Sequence, residues 1–211
     1  YCSCPDFRKN TLGTCKHIMN VQRKMKNKFS AEIKKIPYIQ NDFAIHILYG
    51  DTLQLRLLSP IKIPSEAARI IEPVNNRSIK DIHMLLQCIR RLEAAGHSVN
   101  IYPDAGEYIE FLLHQEKVND LVKQIRKDPS GHPLRKTLLR AELLPFQLDG
   151  IAFAAGAGRA VLADDMGLGK TIQGIGIAEL LARESAIKKV LIICPTSLKS
   201  QWRSEILRFS D

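Results

Sequence analysis

No apolar run in this 211-residue chain is long enough to cross a bilayer. No basic-then-apolar leader pattern opens it either, and neither internal repeats nor low-complexity tracts occur. The first residue is Tyr1 rather than Met, so the native N-terminus is expected upstream. Acidic residues are scarce at one end. Residues 1–40 hold only Asp6 and Glu32 against nine Lys/Arg (Arg8, Lys9, Lys16, Arg23, Lys24, Lys26, Lys28, Lys34, Lys35), a net +7. Residues 41–211 are nearly balanced, with 22 Lys/Arg and 20 Asp/Glu. The overall +9 is therefore local, and polyanion binding belongs to the N-terminal segment, with a solvated helix face as the plain alternative. Five cysteines without a secretory signal argue for reduced thiols. The setting expected is cytoplasmic (a bacterial nucleoid) or nuclear, with no membrane partner. At 45% apolar residues, the chain is large enough for one sizeable domain or two small ones.

What is present is concentrated near the C-terminus. The stretch Asp164-Asp-Met-Gly-Leu-Gly-Lys-Thr171 follows a short apolar run, Ala160 to Ala163, which reads as a buried strand. Ile172 to Arg183 reads as a helix. A strand, a Gly-rich loop and a helix opening with Lys-Thr form the context that a phosphate-binding loop needs. Glycine admits close backbone approach and unusual dihedrals, so the N–H groups of Gly167 to Thr171 are free to face phosphate oxygens. The helix N-terminus adds partial positive charge. Lys170 is expected to reach the β- and γ-phosphates and Thr171 to hold Mg²⁺. Asp164 stands where the plain GxxxxGK[ST] pattern has its first glycine.

Two flanking segments sharpen this. Leu143-Leu-Pro-Phe-Gln-Leu-Asp-Gly150 precedes the loop, and Val190-Leu-Ile-Ile-Cys-Pro-Thr-Ser-Leu-Lys-Ser-Gln-Trp202 follows it. With the loop, in this order and spacing, they closely resemble the start of the Swi/Snf-type, helicase-like ATPases of superfamily 2, over roughly Leu143 to Phe209. The family more often has Asp-Glu where this chain has Asp164-Asp165. The resemblance implies ATP and Mg²⁺ as cofactors and movement along duplex DNA. It places the adenine edge on Gln147, whose amide offers a donor and an acceptor at once. It makes Asp164, Asp165, Met166, Gly167, Leu168, Gly169, Lys170 and Thr171 the nucleotide loop. The two acids either hold the loop's shape or orient water on Mg²⁺. Thr196, Ser197 and Lys199 become candidate DNA-phosphate contacts, with a loop and helix cap as the plain alternative. Trp202 reads as core or interlobe packing and Cys194 as an inert buried thiol.

Lys189 to Ile193 reads as a second buried strand. It completes a β–α–β unit of right-handed crossover. The fold expected is thus the beginning of an α/β RecA-like lobe with a parallel sheet, truncated. Only 41 residues follow Lys170, and neither a DExH-type box nor a second lobe is present. The chain is therefore expected to be an N-terminal piece of a larger motor. Alone it is expected to bind ATP weakly without turnover, with no catalytic residue of its own.

At the other end, Cys2, Cys4, Cys15 and His17 form two close pairs, Cys-x-Cys and Cys-x-His. Four ligands of this softness suit a closed tetrahedral Zn²⁺ site, which serves folding or recognition rather than metal catalysis. The pattern resembles the SWIM zinc finger. Cys15 to Phe29 reads as a basic helix, with Ile18, Met19, Gln22 and Met25 on one side. Its expected partners are duplex DNA or an acidic protein, such as a member of a transcription or repair complex, and the resemblance does not choose between them.

Between the two ends, Phe43 to Tyr49 and Leu53 to Leu57 alternate around a turn, a hairpin signal. Ser78 with Asp81 reads as a capping box opening a helix that ends at Gly96. Val99 to Tyr102 reads as a strand and Ala105 to Arg126 as a helix. The expected organisation is 1–30 zinc finger with basic helix, 31–127 α+β accessory domain, 128–142 linker and 143–211 ATP-binding lobe. The other histidines, His46, His83, His97, His114 and His132, show no ligand spacing. The other class kept open is an adaptor whose nucleotide site is a switch without motor activity.

Overall fold

The computed structural model of the chain describes residues 1–26, 28–30, 32–33, 40–75, 77–185 and 187–210. The sequence suggests a short linker around Pro37, which lies outside these residues. The chain forms two compact units, 1–112 and 113–211. Among the described residues no helix is long and apolar enough to cross a membrane.

The first unit opens with α1 (Pro5–Lys9) and α2 (Lys16–Lys26). A three-stranded mixed sheet follows, in the order β2-β1-β3. Strands β1 (Phe43–Leu48) and β2 (Gln54–Leu58) form the expected antiparallel hairpin, with Ala44 opposite Leu58 and Leu48 opposite Gln54. Strand β3 (Val99–Ile101) runs parallel to β1, with Phe43 opposite Val99. A parallel neighbour needs a long crossover. Here β2 returns the chain, and α3 (Ser65–Ile71) and α4 (Ile82–Ala94), which pack on each other, carry it past β1 to β3. Ile45, Leu55, Ile71, Leu85 and Leu92 are buried in this unit.

Helix α4 begins later than the Ser78 cap predicts. Ile79 N–H donates to the Leu55 carbonyl at 3.1 Å, which holds this segment as a bridge to the β2 edge. The chain is free to turn helical only beyond it. Asp81 then caps the helix by accepting the Met84 N–H at 3.0 Å. The far end matches expectation, with Gly96 at φ +79° just beyond the last turn.

Helix α5 (Pro103–Lys127) is continuous through the point where the two units divide. The second unit adds α6 (Leu134–Thr137), α7 (Pro145–Ala157), α8 (Lys170–Ser185), a 3₁₀ turn at Thr196–Leu198 and α9 (Lys199–Phe209). Leu148, Ile151, Ala152 and Ala155 recur at helical spacing on α7 and are buried with Ile175 and Leu180 of α8. The stretch 128–142, expected as a linker, contributes the buried Leu138 and Leu139 to this core. Arg183 fastens it from α8 by donating to the Thr137 and Leu138 carbonyls, each at 2.8 Å.

The two buried strands expected around α8 are not formed. Ala160–Ala163 and Lys189–Ile193 form no regular secondary structure, and Val161, Leu191 and Ile193 are 85%, 84% and 88% exposed. Parallel strands are stable when neighbours satisfy both ladders and helices cover both faces. Neither run meets a strand partner among the described residues, so no β–α–β sheet closes. The described fold is α+β, with its one sheet in the first unit.

Candidate functional site

The Gly-rich loop lies between the exposed run 160–163 and the start of α8. Gly167 and Gly169 take φ of +88° and +82°, a region where a side chain is strained. An added Cβ at Gly169 would also come within 2.7 Å of Gln147 Nε2. The two glycines turn the chain so that Lys170 is the first residue of α8, with Thr171 half-buried behind it. The opening N–H groups of a helix lack intrahelical acceptors, which leaves those of α8 as candidate donors. The loop crest is open: Met166 is almost fully exposed, and Asp165, Leu168 and Lys170 are exposed too.

Two glutamines hold the loop from below. Gln147, in the first turn of α7, accepts the Leu144 N–H at 3.0 Å and donates Nε2 to the Leu168 carbonyl at 3.1 Å. It is buried. The residue that sequence reasoning assigned to adenine thus also supports the loop. Gln173, on α8, donates Nε2 to Asp164 Oδ2 at 2.6 Å. Sequence reasoning missed Gln173; its signal is a polar side chain set among apolar inward positions of α8. Lys170 Nζ donates to the carbonyls of Asp164 and Asp165 at 2.7 and 2.9 Å. Asp164, half-buried, is therefore engaged by both its side chain and its carbonyl. This favours the loop-shaping role among the two expected for the acids.

Thr196, Ser197 and Lys199 are exposed at the 3₁₀ turn and the start of α9. Trp202 packs against the core of this unit beside Ile206 and Phe209, as expected. Cys194 is half-exposed, not buried, and lines an open cavity with Ile193 and Trp202. The absence of a sheet around Ile193 leaves its neighbour uncovered.

In the first unit, Cys2, Cys4, Cys15 and His17 bring one ligand atom each within 4.8 Å of one another. Cys2 Sγ lies 3.9 Å from His17 Nδ1. Ligand atoms around tetrahedral Zn²⁺ sit roughly 3.5–3.8 Å apart, so the donor set and the clustering fit such an ion. The backbone prepares the site. The Phe7 N–H points at Cys4 Sγ at 3.3 Å, which also caps α1. Burial alone would raise the Cys15 thiol, but N–H groups of Ile18 and His17 and the neighbouring thiols outweigh it, and the net shift is downward. For Cys4 the Phe7 N–H acts downward, while burial and the other two thiols carry the net shift upward. Helix α2 begins inside the cluster and buries none of its residues. Its basic side chains and Met19, Val21 and Met25 all face solvent.

A model of the SNF2-related domain matches residues 107–211. The human protein named DNA annealing helicase and endonuclease ZRANB3 is 54% identical over 69 residues, which is 32% of this chain and 6% of that protein. A Xenopus laevis protein, SWI/SNF-related matrix-associated actin-dependent regulator of chromatin subfamily A-like protein 1, is 32% identical over 133 residues, covering 62% of this chain and 13% of its own length. An uncharacterised ATP-dependent helicase of Schizosaccharomyces pombe is 35% identical over 99 residues, covering 44% of this chain and 10% of its own length. The chain thus spans only a small part of these relatives. No solved structure matches it. Residues 107–211 thus match the SNF2-related domain, and this part of the chain is homologous to SNF2/SWI-family helicases.

Proposed function

We propose that this chain is the ATP-binding portion of a DNA-dependent ATPase that translocates on duplex DNA, joined to a zinc module that directs it to its target. The observation that carries this is the loop itself. Lys170 stands at the head of α8 behind two glycines in positive φ, with Gln147 reaching the loop from the preceding motif. Lys170 and the opening N–H groups of α8 would bind the β- and γ-phosphates. Gln147 would bind the adenine edge while holding Leu168. Thr171 would hold Mg²⁺, which when bound neutralises charge on the phosphates. Asp164 would keep the loop in shape for both.

Cys2, Cys4, Cys15 and His17 would hold Zn²⁺ as a closed site of the SWIM type, and the metal would supply folding energy. Helix α2, basic and uncovered, would then be available to DNA or to an acidic protein. Thr196, Ser197 and Lys199, exposed beyond the loop, are proposed DNA-phosphate contacts. The apolar runs 160–163 and 189–193 would become strands of a RecA-like lobe when neighbouring strands cover them. Such a protein would work in the nucleus of a eukaryote or on a bacterial nucleoid.

The test is ATP hydrolysis by the longer parent protein, with and without duplex DNA, beside its Lys170→Ala variant. DNA stimulation that disappears in the variant supports the reading. A folded parent that binds ATP but shows no DNA-stimulated turnover overturns it.

A further inference from the structure

Gln173 is the only polar side chain, among the described residues, in the set of large side chains that are fully buried. Burying an amide without partners is costly, and this one is only half satisfied. Its Nε2 donates to Asp164 Oδ2 at 2.6 Å, and its Oε1 has no partner among the described residues. A leucine of similar size would fill the same volume at no such cost. The fold also makes room for the amide. Gly150 on α7 lies where an added Cβ would collide with Gln173 Oε1. A helix interior gains from Ala over Gly, so Gly150 gives up helix propensity while leaving space for this side chain.

The partner explains what the arrangement does. Asp164 begins the loop, and its carbonyl is one of the two that hold Lys170 Nζ. Gln147 fixes the loop's other side at Leu168. The loop is thus pinned at its start by Gln173 from α8 and near its end by Gln147 from α7. A carboxylate accepting from an amide gives a short, charge-assisted bond.

We infer that Gln173 is a positioning residue for the nucleotide loop: its amide, lodged over Gly150, clamps the Asp164 carboxylate and so sets where the loop backbone and Lys170 stand to meet the triphosphate. The inference rests on the proposed ATP site and assigns Gln173 no contact with the nucleotide. It makes Asp164 a structural carboxylate of the loop. Its demand on position 173 is a hydrogen-bond donor, not mere volume.

The test is titration of the chain with a fluorescent ATP analogue and Mg²⁺, with thermal midpoints measured alongside. The set comprises the parent chain, Lys170→Ala, Asp164→Asn, Gln173→Leu, Gln173→Glu and the double variant Asp164→Asn/Gln173→Glu. Gln173→Glu sets two carboxylates against each other and is expected to weaken binding at least tenfold. Gln173→Leu keeps the volume, removes the donor and is expected to weaken it about fivefold. The double variant restores a bond of reversed polarity, in which the amide introduced at position 164 donates to the carboxylate introduced at position 173. It is expected to bind within about threefold of the parent. Affinity that falls in the single variants and returns in the double variant while the thermal midpoint stays unchanged is the readout that a purely structural role does not produce. Should Gln173→Glu fail to fold, Gln173→Leu and the half-exposed Asp164→Asn carry the test. Parent binding that needs Lys170 but is unchanged by every Gln173 and Asp164 variant, or a double variant no better than Gln173→Glu alone, overturns the inference. No analogue binding by the folded parent, or binding indifferent to Lys170→Ala, overturns the ATP-site reading instead.

Discussion

Lys170→Ala is the substitution whose size the structure sets most directly. In the free loop the ammonium is not idle: it donates to the Asp164 and Asp165 carbonyls at 2.7 and 2.9 Å. Nucleotide binding must exchange these two neutral acceptors for phosphate oxygens. The gain is a difference, not the full Coulomb attraction. A hydrogen bond involving charge contributes about 1.5–3 kcal/mol net, roughly twice a neutral one, and a phosphate oxygen adds its own charge to the pair. Giving up the carbonyls removes part of that, which leaves about 2 kcal/mol for the exchange. Since about 1.4 kcal/mol is tenfold in affinity, Lys170→Ala should weaken ATP-analogue binding roughly 30-fold. The side chain is exposed and contributes no core packing, so the thermal midpoint should stay within about 2 °C. The assay is fluorescence titration at fixed Mg²⁺ and two ionic strengths. The loss should shrink at high salt, because screening weakens attraction between exposed charges. Binding within threefold of the parent at low salt, with fold retained, would refute the reasoning.

Two further outcomes concern the first unit. Zinc should bind one ion per chain through Cys2, Cys4, Cys15 and His17. Chelation should lower helicity measured by circular dichroism, because α2 starts within the ligand cluster and buries nothing that would hold it otherwise; unchanged helicity would show that the helix stands without the metal. Tyr49 donates its hydroxyl to Asp104 Oδ2 at 2.6 Å, and burial, then that bond and charge, raise its ionisation above the ordinary tyrosine range. A raised folded-state value means the stabilisation is complete below the unfolded tyrosine pKa, about 10. It is lost as pH climbs from there toward the folded value. Thermal midpoints of this unit should fall more steeply above pH about 10 in the parent than in Tyr49→Phe, and equal slopes would contradict the assignment.

The sequence determined the chemistry of both candidate sites, because each is carried by residue types at short spacing. Gly167, Gly169, Lys170 and Thr171 specify a loop and helix start within a few residues, and local dihedral freedom is enough to build it. Cys2, Cys4, Cys15 and His17 likewise converge over a short loop. The hairpin β1–β2 and helices α4, α5 and α8 were legible for the same reason: their periodicities are local. Tertiary structure decided what depends on distant partners. The bridge from Ile79 to Leu55 moved the start of α4 to Asp81. The runs 160–163 and 189–193 have strand composition, yet a strand exists only when a neighbour completes its ladder, and none does so among the described residues. Gln173 is one polar residue in an amphipathic helix until α7 brings Gly150 over its amide and the loop brings Asp164 to its nitrogen. Composition gives a side chain its chemistry, but which groups it must satisfy is settled by the elements packed against it.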